Sequence, residues 1–180
     1  VAYCADDKQF KNIFSVHKDG TEEWWYKYER PRIYQDNEGR AAYINFAVID
    51  CVKKADKGSD NHSSKNIVLP LQKPLLTEMI KAEGNTYIIR IKAEKDFKPK
   101  RDLNIKTLRF GCHSYVNYGK GLKVKKVVSQ DNDLIVTFMG KDEDSGITHD
   151  EWAPKLLGEK KDGAIAFSYV RMPHINVRPA

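Results

Sequence analysis

Cysteine is scarce: three residues in 180, at Cys4, Cys51 and Cys112. Three thiols so spaced form neither a disulfide framework nor a metal-binding motif of clustered ligands. Long apolar runs are missing too. None approaches the roughly 20 residues that span a bilayer as a helix, which excludes a helical membrane span. There is no Gly-rich phosphate loop and no dinucleotide-binding fingerprint, and internal repeats and low-complexity tracts are absent. Charge of one sign is in mild excess only, at +6. That falls short of the dense basic surface of a dedicated nucleic-acid binder, so no nucleic-acid partner is expected. The chain opens on Val1 without an initiator Met or a signal peptide, as expected of a processed protein or part of a longer one.

Hydrophobic residues make up 41% of the chain and aromatics 11%, enough to bury a core. Arg32–Gln35 and Ala42–Asp50 are β-rich runs separated by Asp36-Asn37-Glu38-Gly39, where Gly39 can adopt positive φ; this predicts a hairpin. Residues 10–16 predict a strand closed by Lys18-Asp19-Gly20. Residues 52–66 form a polar stretch without period, followed by a short apolar strand at 67–71 and the Gln72-Lys73-Pro74 junction. Beyond it, strands are expected at 86–91, 105–110, 122–128, 134–138 and 164–170, with a turn at 130–133. Helix candidates are confined to Glu22–Tyr28 and His149–Leu157. Residues 1–75 carry a net +1 and residues 76–180 a net +5. Two unlike modules are therefore expected, at 1–72 and 73–180, in an all-β protein whose second module is a β-sandwich.

The densest candidate segment is Glu22 to Pro31, with acids, aromatics and Arg30 close together. Sugars offer C–H faces that stack on Trp and hydroxyls that bond carboxylates and guanidinium groups. Glu22, Glu23, Trp24, Trp25 and Arg30 are candidate substrate contacts, although paired Trp residues in a β-protein are ordinarily core. His62, in the Asp60–Lys65 segment, is a sixth candidate. Asn61-His62-Ser63 is also a formal glycosylation sequon. Asp142-Glu143-Asp144-Ser145-Gly146 alternates oxygen donors before a Gly and hints at calcium, but lacks the closing Glu of such a loop. No cofactor or metal is otherwise expected. Cys112-His113 suggests a thiol nucleophile, yet no neighbouring acid in the sequence completes it. Lys123 and Lys125 share one strand face, with Lys126 opposite unless a bulge intervenes, and an acidic glycan is a better match for them than RNA or DNA.

The run Glu29-Arg30-Pro31-Arg32-Ile33-Tyr34-Gln35-Asp36-Asn37-Glu38-Gly39-Arg40, followed by Ile44-Asn45-Phe46-Ala47-Val48, resembles the last blade of five-bladed β-propeller glycoside hydrolases of the bacterial family 43 and family 117 type. Phe97 to Gly111, with Asp133 to Phe138, is similar to immunoglobulin-like C-terminal β-sandwich modules that accompany polysaccharide-degrading enzymes. The resemblance implies a terminal propeller segment followed by an accessory sandwich. It implies the C-terminal portion of a secreted, periplasmic or cell-surface glycoside hydrolase. Its partners would be a polysaccharide or oligosaccharide and the preceding blades of the same protein. About 70 residues cannot make five blades of roughly 40–50 residues each. The paired catalytic carboxylates are thus expected to be incomplete in this chain, with no catalytic residue assignable. The alternative is a non-catalytic carbohydrate-binding or surface interaction module.

Overall fold

The computed structural model describes residues 14–16, 19–52 and 64–173. It is all-β, as the strand spacing predicts, and divides into two units, Val1–Lys73 and Pro74–Ala180. Among the described residues, no helix is long and apolar enough to cross a membrane.

In the first unit, β1 (Phe14–Val16) pairs antiparallel with β2 (Glu22–Trp24). A three-stranded antiparallel meander follows, built from β3 (Lys27–Gln35), β4 (Ala41–Ile49) and β5 (Ser64–Pro70). The β3–β4 hairpin turns where its residues predict. Gly39 takes φ +75°, and the Asp36 carboxylate accepts the backbone N–H groups of Glu38 and Arg40 at 2.9 Å each. The same carboxylate pairs with the Arg40 guanidinium at 3.0 Å. Trp25, Tyr28, Phe46 and Val48 form a small buried cluster on one face of this sheet. The segment Glu22–Tyr28 is strand, a bend and strand again rather than a helix. Backbone pairing to Phe14–Val16 on one side and to Val48 and Ile49 on the other outweighs its weak helical preference.

The second unit is one antiparallel ladder of seven strands, in the order β12-β11-β8-β9-β10-β7-β6. Their ranges are β6 Thr77–Glu83, β7 Thr86–Ile91, β8 Leu103–Gly111, β9 Leu122–Gln130, β10 Asp133–Met139, β11 Lys155–Lys160 and β12 Ile165–Tyr169. Three single helical turns interrupt them: α1 (Pro99–Asp102), α2 (His113–Val116) and α3 (Asp142–Ser145). The second helix candidate, 149–157, is not helical: it runs as turn and bend into β11. Strand β11 is claimed on both sides, by β8 and by β12, and that pairing decides its conformation.

The ladder turns a corner at β9. Only Leu122 and Lys123 of this strand pair with β8, whereas Val124 and residues 126–130 pair with β10. At the corner Thr137 faces Lys126 and Phe138 faces Val124, so Lys125 is an extra residue in β9. Such a bulge bends a strand and strengthens its twist. The sheet curls until its ends meet. The Leu75 N–H, just before β6, donates to the Phe167 carbonyl of β12 at 2.7 Å, and the Thr77 and Ser168 hydroxyls bond at 2.7 Å. Alternate residues of nearly every strand fill the enclosed core, including Ile89, Leu108, Phe110, Val136, Phe138 and Leu156. Phe110 sits at its centre, with ring centroids 5.2 Å from Tyr87 and 5.5 Å from Phe138.

One carboxylate fastens the start of β8 against acid. Asp102 accepts the Arg101 guanidinium (Nη2 at 2.9 Å) and the Lys98 N–H at 2.8 Å. These bonds, the guanidinium first, lower its pKa from the ordinary 3.8 to about 2. A carboxyl that titrates lower when folded contributes stability above its unfolded pKa, and that contribution is lost as pH falls toward the folded value. The urea midpoint of Asp102→Asn should therefore lie below wild type by a constant margin above about pH 5. The margin should shrink between about pH 4 and pH 2; a margin independent of pH would refute this role.

Candidate anion-binding cleft

Where β8, α2 and the corner of β9 meet, a cleft of about 500 Å³ opens in the second unit. Its basic side chains come from three elements: Arg109 from β8, Lys120 from the turn after α2, and Lys123 and Lys125 from β9. Tyr115 of α2 lines it as well, with the Lys120 ammonium 5.6 Å from its ring centroid. Glu143 and Asp144 of α3 line it too, and Glu143 is paired with Lys141 at 3.3 Å.

Glycines shape this cleft. Gly121 takes φ +98°, and a Cβ there would lie 3.1 Å from both the Phe110 carbonyl and the Val116 side chain. Gly146 takes φ +63°, and a Cβ there would lie 2.6 Å from the Tyr115 ring. Absence of a side chain at these two points lets the backbone close on Phe110 and lets Tyr115 lie flat on the turn after α3.

The electrostatics carry an anomaly. Arg109 and Lys123 are direct register partners across β8 and β9. Side chains so placed have Cβ atoms about 4.5–5.5 Å apart, and like charges directly opposite are destabilising. Arg109 donates to the carbonyls of Lys106 and Leu108 at 3.0 and 2.9 Å. Among the described residues no carboxylate pairs with Arg109, Lys120, Lys123 or Lys125. A ladder position that opposes two cations without a counter-ion is one that an anion would relieve.

The sugar-contact candidates of the first unit are dispersed. Glu22 and Glu23 are successive residues of β2, and so point to opposite faces; Glu22 is exposed and Glu23 half-buried. Trp24 is placed by its backbone, opposite Phe14. Trp25 is only 6% exposed, packs in the core cluster and carries the Lys65 ammonium 5.4 Å from its ring centroid, so its faces are spent on packing. Arg30 is exposed at a bulge of β3, with φ +51°. His62 lies outside the described residues, as do most of the polar stretch and the sequon. Of the calcium candidates, Ser145 is buried with its hydroxyl accepting the Ile147 N–H, and Glu143 has its lysine partner.

Sequence reading passed over Arg109 and Lys120. Lys123 and Lys125 stand two apart in sequence and both line the cleft, although the bulge at Lys125 interrupts the alternation on which that spacing rests. Arg109 joins them only through the β8–β9 register, which no local signal carries. Searches of protein-family models, curated proteins and solved structures return no significant match to this chain.

The like-charge opposition has a measurable signature. Lys123→Thr should stabilise the ligand-free protein, by a few tenths to about 1 kcal/mol, as read from the denaturant midpoint at low ionic strength. A loss of stability would show that Arg109 and Lys123 do not oppose each other.

Proposed function

We propose that the chain is a non-catalytic binding module for anionic polysaccharide, which it holds in the cleft between β8, α2 and β9. The observation that carries this reading is the uncompensated Arg109–Lys123 pair, with Lys120 and Lys125 beside it. Sulfate or uronate groups would sit between these cations as charge-assisted hydrogen-bond acceptors, and the Tyr115 ring offers a sugar face a place to stack. The low density of cations and the single aromatic favour a glycan over a nucleic acid, whose binders line a longer basic track with several stacking rings. The reading entails a secreted, periplasmic or cell-surface location, where such polymers occur.

Affinity for a sulfated or uronic-acid polysaccharide should exceed that for a neutral one. Two exposed charge contacts are worth about 0.4–2 kcal/mol together, so Lys123→Ala/Lys125→Ala should weaken binding about 2–30-fold. Raising salt from about 0.15 M to 1 M shortens the screening length from about 8 Å to 3 Å and should weaken wild type more than the variant. Equal affinity for charged and neutral polymer, or an unaffected double variant, would reject the proposal.

A second reading, that the first unit is a terminal propeller blade of a polysaccharide-degrading glycoside hydrolase, is favoured by a different observation. The β3-β4-β5 sheet bears apolar side chains on both faces. Opposite the Phe46 face, register places Tyr34, Tyr43 and Val68 together, at 44%, 49% and 56% exposure. Propeller blades bury both faces against their neighbours, and so small a core is marginal alone. On this reading the exposed face meets the preceding blade, and the catalytic carboxylates lie largely in other blades. The chain by itself should then show no turnover on aryl glycosides or plant and algal polysaccharides. Turnover abolished by Glu22→Gln or Glu29→Gln would instead make the chain an enzyme in its own right.

A further inference from the structure

None of the cleft's lining residues belongs to a second group, in which the fold brings an adjacent Cys-His pair together with an acid from about 40 residues further along the chain. Cys112, at the end of β8, and His113, the first residue of α2, meet Glu151 from the segment between α3 and β11. One ligand atom from each of the three lies within 4.8 Å of the others. The Cys112 Sγ to His113 Nδ1 distance is 3.9 Å. A tetrahedral ion bound at about 2.3 Å from sulfur and 2.0–2.1 Å from nitrogen separates those two atoms by about 3.6 Å. Cys112 and His113 thus stand close to the spacing that one ion requires, with a Glu151 oxygen near both. Cys112 and Glu151 are half-buried and His113 is exposed, so the group has a sheltered floor and an open side.

The backbone around the three residues is pinned. The Cys112 N–H donates to the Ser145 carbonyl at 2.8 Å. Gly111 makes that approach possible: a Cβ there would stand 2.4 Å from the Ser145 oxygen. The Ile147 N–H bonds the buried Ser145 hydroxyl at 3.1 Å. On the far side of Glu151, the Trp152 and Pro154 carbonyls accept the N–H groups of Met172 and Val170 at 2.8 and 2.9 Å. The residue after β8 is thus bonded to the end of α3, where the segment carrying Glu151 begins, and that segment is bonded again just past Glu151. Arrangement before binding lowers the ordering cost of capturing an ion. The Ser114 hydroxyl lies 3.2 Å from the Cys112 sulfur, placed to support a thiolate as an outer hydrogen-bond donor.

We propose that Cys112, His113 and Glu151 bind a divalent transition-metal ion of the zinc class. A thiolate, an imidazole and a carboxylate suit a borderline-soft ion better than calcium or magnesium, which take oxygen ligands. Three protein ligands leave a fourth position for water or for a ligand from solution, the pattern of an open site rather than a closed structural one.

Cobalt(II) is the probe, because it reports thiolate coordination optically. Chelator-stripped protein should take up one equivalent of Co(II) with a thiolate-to-metal charge-transfer band, and Zn(II) should displace it. Cys51→Ser should leave the band intact and Cys112→Ser should abolish it. His113→Ala and Glu151→Gln should each weaken uptake at least tenfold by competition with a chromophoric chelator. Since Cys112→Ser could disturb the β8 end, wild-type protein supplies an independent readout: Zn(II) should slow alkylation of Cys112 and leave that of Cys51 unchanged. No band, a band that survives Cys112→Ser in folded protein, or alkylation of Cys112 indifferent to Zn(II) would overturn the proposal.

Discussion

The curl of the second unit depends on how the sheet packs around Phe110. This ring touches Tyr87 from β7 and Phe138 from β10, strands on the far side of the β9 corner from its own. Truncation of a fully buried Phe to Ala costs about 3–5 kcal/mol, a large share of what holds a domain of this size together. The bulge at Lys125 and the closure from Leu75 to Phe167 let flat-pleated strands wrap a ring so placed. Phe110 pairs with Leu122 in the only stretch where β8 and β9 meet.

From that short contact the surface chemistry follows. With Phe110 turned inward, its neighbour Arg109 is on the outer face, where the register sets it against Lys123. The bulge carries Lys125 to the same cleft. Two residues beyond Phe110, just past the end of the strand, lies Cys112, bonded to Ser145 and near Glu151. A single core residue thus sits between a basic cleft and a cluster of side chains of metal-ligating type. The like-charge pair is a feature that stability alone does not favour.

Local chemistry in the sequence announced much of this fold. Asp36 and Gly39 specify the β3–β4 turn by the carboxylate and the positive φ they supply. Alternating apolar residues mark β7 and β10, each with one face in the core. Where tertiary pairing overrides local preference, the sequence was opaque. Thr77–Glu83 is rich in helix-compatible residues and became the edge strand β6, while Lys155–Leu157, the end of the 149–157 helix candidate, became the start of β11. The corner at β9 requires knowing that β8 reaches only Leu122 and Lys123. The sites divide the same way. The lysines of β9 are visible in the sequence, but the bulge that places Lys125 is not, and Arg109 and Glu151 reach their partners only through long-range contacts. The Trp25 ring, a natural sugar platform in a list of residues, is occupied by packing against Tyr28 and Phe46.

The central claim is that the β8–β9 corner, and not the aromatic segment of the first unit, is where this protein meets its ligand. Backbone amide shifts in a ¹H–¹⁵N spectrum, recorded while a short sulfated or uronic-acid oligosaccharide is titrated in, test it most directly. The account predicts the largest shifts at Arg109, Lys120, Lys123 and Lys125, fading as salt is raised. Shifts concentrated at Glu22–Arg30 with the corner unmoved would contradict it.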